Sequence, residues 1–131
     1  IINRIGTLSI DRNRAWHVKK KINLKLMKKG AKILEGIHDF STYRASSCSA
    51  TSPIKKMLPI KIRKNNDRIR IRLSSKSFLQ NQVRSIIGCL IYLSVGKWSI
   101  DEFKKSFKSK KRDQCAPPAP ACGLYLYNVK Y

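Results

Sequence analysis

The stretch FLQNQVRSIIG, residues 78–88, sets a single cation among apolar residues that recur at helical spacing. Arg84 lies about one residue step off the apolar stripe, followed directly by Ser85 and, four residues on, by Gly88. Two readings fit this pattern. One is a solvent-facing arginine on an amphipathic helix. The other is a guanidinium at the edge of a cleft, with small neighbours that leave room for a ligand or a second domain. Gln80 and Asn81 open the same helix without an acidic residue, and an uncompensated helix N-terminus suits an incoming phosphate. A second candidate is HDFSTYR, residues 38–44, where Arg44 stands among hydroxyl side chains. There it is either a solvated loop residue or a fork that holds a phosphate or carboxylate through two parallel hydrogen bonds.

Other chemistry finds little support. Asp11 and Asp67 fall in polar loops or turns, Glu35 ends a helix, and Asp101 and Glu102 begin one, so no carboxylate pair is placed for general acid–base work. His38 and Asp39, just past a helix end, read as turn-formers. Neither a G-x-S-x-G elbow nor a phosphate-binding P-loop is present. A nucleophile–base pair of Cys48 with His38 would rest on spacing alone. The four cysteines, Cys48, Cys89, Cys115 and Cys122, contain no C-x-x-C and gain no ligand spacing from His17 or His38. They read as reduced, structural thiols of a cytosolic protein, with no zinc site.

The elements that would position these residues follow from periodicity. Ile1-Ile2-Asn3 looks like the end of a strand and leads into an irregular basic stretch through Lys21. Asn23 can cap a helix with Leu24, Met27, Ala31 and Leu34 on one face and Gly36 as its stop. Residues 38–53, rich in Ser and Thr, read as loop. Leu58, Ile60 and Ile62, then Ile69, Ile71 and Leu73, alternate with cations around a KNND turn, which predicts a hairpin with one apolar and one cationic face. A helix with Leu79, Val83, Ile86, Ile87, Leu90 and Leu93 on one stripe follows and ends at Gly96. SIDE, residues 99–102, is a capping box that opens a short helix burying Ile100, Phe103 and Phe107. CAPPAPAC, residues 115–122, is neither helix nor strand interior, and residues 123–131 alternate as a final strand. The order is that of an α+β, ferredoxin-like fold: β-α-β-β-α-β, an antiparallel sheet with helices on one face.

The bulk properties narrow the partner. A chain of 131 residues makes one domain, and 42% hydrophobic residues suffice for its core. No run approaches the ~20 apolar residues of a membrane span, and no signal-peptide pattern marks the N-terminus. The chain begins Ile1-Ile2 without methionine and reads as a piece of something longer. With 29 Lys and Arg against 7 Asp and Glu, its net charge is +22. A compact chain of that charge repels itself, so nucleic acid is the natural partner. Coding bias toward lysine is the alternative, and a basic membrane-surface helix lacks the broad apolar face it would need.

Three stretches in this order, LEGIHDFSTYRASSC (34–48), FLQNQVRSIIGCLIYLSVGK (78–97) and RDQCAPPAPACGLYLYNVKY (112–131), resemble the C-terminal half of the tRNA pseudouridine synthase A family. The resemblance implies an isomerase that detaches uracil from C1′ of a uridine in the tRNA anticodon stem-loop, turns it, and rejoins it through C5. It implies a flipped base in a cleft, no cofactor or metal, two similar α+β halves whose sheets line that cleft, and a homodimer. It implies that Arg84 pairs with a catalytic aspartate; beside it, Arg44, Gln80, Asn81 and Arg112 are the expected RNA contacts. The R-T-D-x-G-V-H-A string that would carry the aspartate is missing from residues 1–131, as is the family's active-site tyrosine. The expectation is therefore a C-terminal domain, inactive alone, with Ser85 and Gly88 making space for a carboxylate from the other half. The rival expectation is a non-catalytic basic RNA-binding module.

Overall fold

Asn23 begins the first helix as its sequence predicts. The backbone there is extended, and the side chain Oδ1 accepts from the Leu26 amide at 3.2 Å, satisfying one of the donors that a helix start leaves open. Helix α1 runs Leu24–Leu34 and buries Met27, Gly30, Ala31 and Leu34. It ends where Glu35 turns extended, its amide donating to the Lys32 carbonyl at 3.3 Å, and Gly36 follows at φ +100, a left-handed conformation that other residues resist. The structure, a computed structural model, describes residues 2–3, 16–43, 54–75 and 82–120.

The remaining elements are β1 (Ile2–Asn3), β2 (His17–Val18), β3 (Gly36–Asp39), a 3-10 turn (Ser41–Tyr43), β4 (Ile54–Met57), β5 (Lys61–Asn65), β6 (Arg68–Arg72), α2 (Gln82–Ser94), α3 (Ile100–Ser109) and a second 3-10 turn (Arg112–Gln114). The α+β class stands. The strands form a four-stranded sheet in the order β2-β1-β6-β5 and an antiparallel ribbon, β3-β4. Within the larger sheet β1 runs parallel to β2 and antiparallel to β6. A bridge between Met57 and Ser75 and the bond from the Leu58 amide to the Ser74 carbonyl, at 3.0 Å, tie the ribbon to the end of β6.

Three local expectations need correction. Residues 38–39 are strand rather than loop, because the turn at Gly36 sends the chain straight into β3, which pairs with β4 from Gly36↔Met57 to Asp39↔Ile54. β4 itself was not foreseen, since IKKM is too short and basic to show alternation. The basic stretch before Lys21 contains β2. The hairpin is as expected, apart from its first strand, which starts at Lys61 rather than Leu58; Pro59, with no amide hydrogen, lies in the gap. Asn66, at φ 56, supplies its turn. The expected strand over residues 123–131 lies outside the described residues.

α1 crosses α2 closely at Gly30. A methyl there would stand 2.6 Å from Cδ2 of Leu93 and 3.0 Å from that of Leu90. The Asn23 amide donates to the Ser94 carbonyl at 2.8 Å, pinning the start of α1 to the end of α2. α3 opens with the predicted capping box, Glu102 N to Ser99 Oγ and Ser99 N to Glu102 Oε1, both 3.2 Å. It buries Phe103 and Phe107, while Lys104, Lys105 and Lys108 stay outside. One apolar cluster joins all three helices to Met57 and Ile69 of the sheets.

Candidate functional site

α2 is wrapped on more than one side, and this is what places Arg84. Its buried residues are Gln82, Ser85, Ile86, Gly88, Cys89, Leu90, Ile91, Leu93 and Ser94, a set wider than the apolar stripe. Ser85, Gly88 and Cys89 lie under the segment Cys115–Ala119, which crosses the helix as a strap. The Ala116 amide donates to Cys89 Sγ at 3.4 Å. A Cβ at Gly88 would run into the Pro117 carbonyl and stand 3.3 Å from the Pro118 Cα, so only glycine permits the crossing. The Ala119 amide donates to the Arg84 carbonyl at 2.9 Å, and Arg84 Nε donates to the Ala119 carbonyl at 2.7 Å.

Arg84 is thus half-buried and oriented by backbone, and not extended into water. Its terminal nitrogens carry no hydrogen bond or ion pair among the described residues. A guanidinium fixed through Nε presents a planar pair of donors, the arrangement that meets a carboxylate or phosphate bidentately. The space beside Ser85 and Gly88, however, is not open to a visiting carboxylate. The strap fills it, and Ser85 Oγ accepts from Arg112 Nη1 at 2.6 Å. The small neighbours let this chain clamp its own arginine.

The other expected site residues divide. Arg112 is half-buried, committed through Nη1 to Ser85 and, at 3.9 Å, to Cys115 Sγ. Arg44, Gln80 and Asn81 lie outside the described residues, as do Cys48 and Cys122. Three acids have structural partners. Asp39 Oδ1 accepts from Ser41 N at 2.9 Å and Ser41 Oγ at 2.5 Å, Glu35 Oε1 accepts from Ile60 N at 3.0 Å, and Glu102 completes its capping box. His38 Nε2 lies 2.7 Å from the Glu35 carbonyl, and its ring packs edge-on to Phe107. Among the described residues no group of three His, Cys, Asp or Glu could hold a metal, and no helix is long and apolar enough to cross a membrane.

Sequence reasoning missed how the three distinctive stretches meet. From the first, Thr42 Oγ1 donates to the Ser106 and Phe107 carbonyls, and Tyr43 stacks on Phe107 at 5.8 Å. Burial pushes the Tyr43 hydroxyl far above its ordinary value, with the sulfurs of Cys89 and Cys115 adding to the shift. The second stretch supplies Arg84 and Cys89, the third Cys115 and Ala119. The signal available was Gly88: a glycine inside a helix, where it is costly, marks a close backbone approach.

A second feature is the outer face of the hairpin. Register pairs Lys61↔Arg72 and Arg63↔Arg70, with Arg68 on the same side and all five exposed. Ile62, Ile69 and Ile71 take the opposite, core-facing side. Like charges directly across a strand pair are unfavourable. Four of these five cations are arginines, whereas the exposed cations of α1 and α3 are all lysines. Arginine's planar fork suits phosphates and bases better than the strongly hydrated ammonium.

Comparison with known proteins settles the ancestry. Residues 31–131 match the family model of tRNA pseudouridine synthase. Across all 131 residues the chain is 53% identical to a protein of Pelagibacter ubique (strain HTCC1062) named tRNA pseudouridine synthase A, and covers 53% of it. It is 44% identical over its whole length to proteins of that name from Xanthobacter autotrophicus and Azorhizobium caulinodans, covering 54% and 51% of them. It therefore spans about half the length of these relatives. Matched along its whole length by such relatives, and over residues 31–131 by the family model, the chain belongs to the tRNA pseudouridine synthase family.

Proposed function

We propose that this chain is the C-terminal half of an enzyme that converts uridine to pseudouridine in the tRNA anticodon stem-loop. In this reading Arg84 holds the catalytic carboxylate of an N-terminal half outside this chain, beside a base flipped from the stack. The observation that carries it is a half-buried arginine whose Nε is fixed by the Ala119 carbonyl while its terminal nitrogens stay uncommitted. An ion pair formed there acts in a partly desolvated place, where charge counts for more than at an open surface. The Arg63, Arg68, Arg70 and Arg72 face takes the phosphate backbone. Arg44, Gln80 and Asn81 are further RNA contacts in this reading. Arg112 is first a clamp for the strap, and its remaining nitrogens are what it offers RNA. The whole enzyme works in the cytoplasm as a homodimer without cofactor or metal.

A non-catalytic RNA-binding module would account for the hairpin arginines but leaves the clamped Arg84 without a purpose. Tritium release from tRNA labelled at C5 of uridine separates the two readings. The full-length protein turns over and residues 1–131 alone do not. In the full-length protein Arg84→Ala lowers turnover by about a hundredfold or more, with tRNA affinity changed by only a few-fold. Turnover near the unsubstituted rate would make Arg84 a structural residue and end the proposal.

A further inference from the structure

Cys89 and Cys115 lie side by side where the strap crosses α2, with their sulfurs 3.5 Å apart and both thiols free. Cys89 is fully buried on the helix, and Cys115 is half-buried at the end of the second 3-10 turn. We propose that these two residues form a reversible oxidation site, in which a peroxide converts the pair to a disulfide that locks the strap onto α2. The two cysteines are 26 residues apart in the chain, and the loop the bond would close contains α3.

The geometry is close to what the bond needs. A disulfide holds its sulfurs about 2.0 Å apart, so closure requires an approach of about 1.5 Å. Cys115 has extended backbone outside any helix or strand, and moves toward α2 without breaking a regular element. Arg112 Nη1, at 3.9 Å, faces its sulfur. Roles follow from the surroundings. The hydrogen bond from Cys89 and the Arg112 charge favour the thiolate of Cys115 and lower its pKa, against its burial. The same bond and burial hold Cys89 protonated. Cys115, the more exposed and more acidic thiol, is the attacking group.

The step balances with hydrogen peroxide as the oxidant. The Cys115 thiolate attacks one peroxide oxygen, an S–O bond forms, the O–O bond breaks, and the departing hydroxide takes a proton to become water. Cys89 sulfur then attacks the sulfenic acid. The S–S bond forms, the S–O bond breaks, and the leaving hydroxide takes up the Cys89 proton as a second water. Two thiols lose two electrons and the peroxide gains them. A thiol reductant restores both residues. The consequence follows from the strap: Ala119, which orients Arg84, lies four residues beyond Cys115, so oxidation fixes the segment that carries the arginine's partner. Formation of the bond does not depend on the catalytic reading.

The test is peptide mapping of the full-length protein after brief exposure to hydrogen peroxide, with free thiols alkylated before digestion. The expected result is one cross-linked peptide joining Cys89 to Cys115, lost on reduction and absent from Cys115→Ser. Hydrogen exchange at the Ala116 and Ala119 amides slows at least several-fold in the oxidised protein. A cross-link of either residue to Cys48 or Cys122, or Cys115 carried to a sulfinic acid while Cys89 stays alkylatable, would overturn the site. Unchanged exchange at Ala116 and Ala119 in the cross-linked protein would overturn the lock. Because the readout is taken on the unsubstituted protein, a folding defect in Cys115→Ser leaves the test intact.

Discussion

The outer face of the β5–β6 hairpin and the Arg84 side of α2 both present positive charge, in opposite ways. On the hairpin the charge is plural, exposed and local. Arg63 and Arg70 stand opposite each other, Lys61 and Arg72 likewise, and their placement follows from strand alternation alone. On α2 it is a single guanidinium, half-buried and fixed by a carbonyl 35 residues further along the chain. Exposed charges act by number and are screened by salt. A clamped charge acts by geometry and is lost when the clamp shifts. In the proposed function the exposed face gathers RNA and the clamped guanidinium positions a reacting group.

The largest effect should come from changing the shape of the clamped charge while keeping its sign. Arg84→Lys in the full-length enzyme retains the cation but loses the Nε that meets Ala119 and the planar fork. Turnover should still fall by about a hundredfold, with tRNA binding within a few-fold of the original. Single-turnover kinetics beside a filter-binding isotherm would check it. If lysine restores activity, position 84 supplies charge alone and the contrast with the hairpin collapses.

Next comes the clamp. Gly88→Ala sets a methyl against the backbone of Pro117, which has no rotamer with which to yield, whereas Gly30→Ala meets the ends of leucine side chains on α2. The first substitution should cost about 1–3 kcal/mol in urea unfolding and also reduce turnover, since the strap carries Ala119. The second should cost less and leave the residual activity of the folded protein unchanged. Equal losses of activity would mean that strap and arginine are not coupled.

This contrast also explains what could be read from the chain beforehand. The hairpin, the Asn23 cap and the Ser99–Glu102 capping box are local patterns, in which a residue's role depends on neighbours a few positions away. All three are found where alternation and capping rules put them. The ribbon β3-β4 escaped because each strand has four residues and its partner lies about 20 positions distant. The burial of Ser85 and Gly88 escaped for the same reason. The strap over them comes from an aperiodic proline-rich segment, and nothing local to α2 announces it. Arg84 was singled out by the company it keeps, but the purpose first given to its small neighbours was mistaken, because the group they accommodate belongs to this chain.

The smallest effect, and the most specific in form, belongs to the hairpin. Arg63 and Arg70 face each other on the exposed side, so replacing both with glutamine removes two cations and one unfavourable cross-strand pair. The fold should be unharmed, with the urea midpoint unchanged or slightly higher. If both residues contact phosphates, the slope of log Kd for tRNA against log salt should flatten by about 1 to 2, and affinity near physiological salt should drop by about tenfold. Turnover at saturating tRNA should stay within about twofold, because in the proposed function these cations gather the substrate without touching the reacting base. A fall in saturated turnover with an unaltered salt slope would place the hairpin in the chemistry, and the division of labour between the two cationic regions would then be reversed.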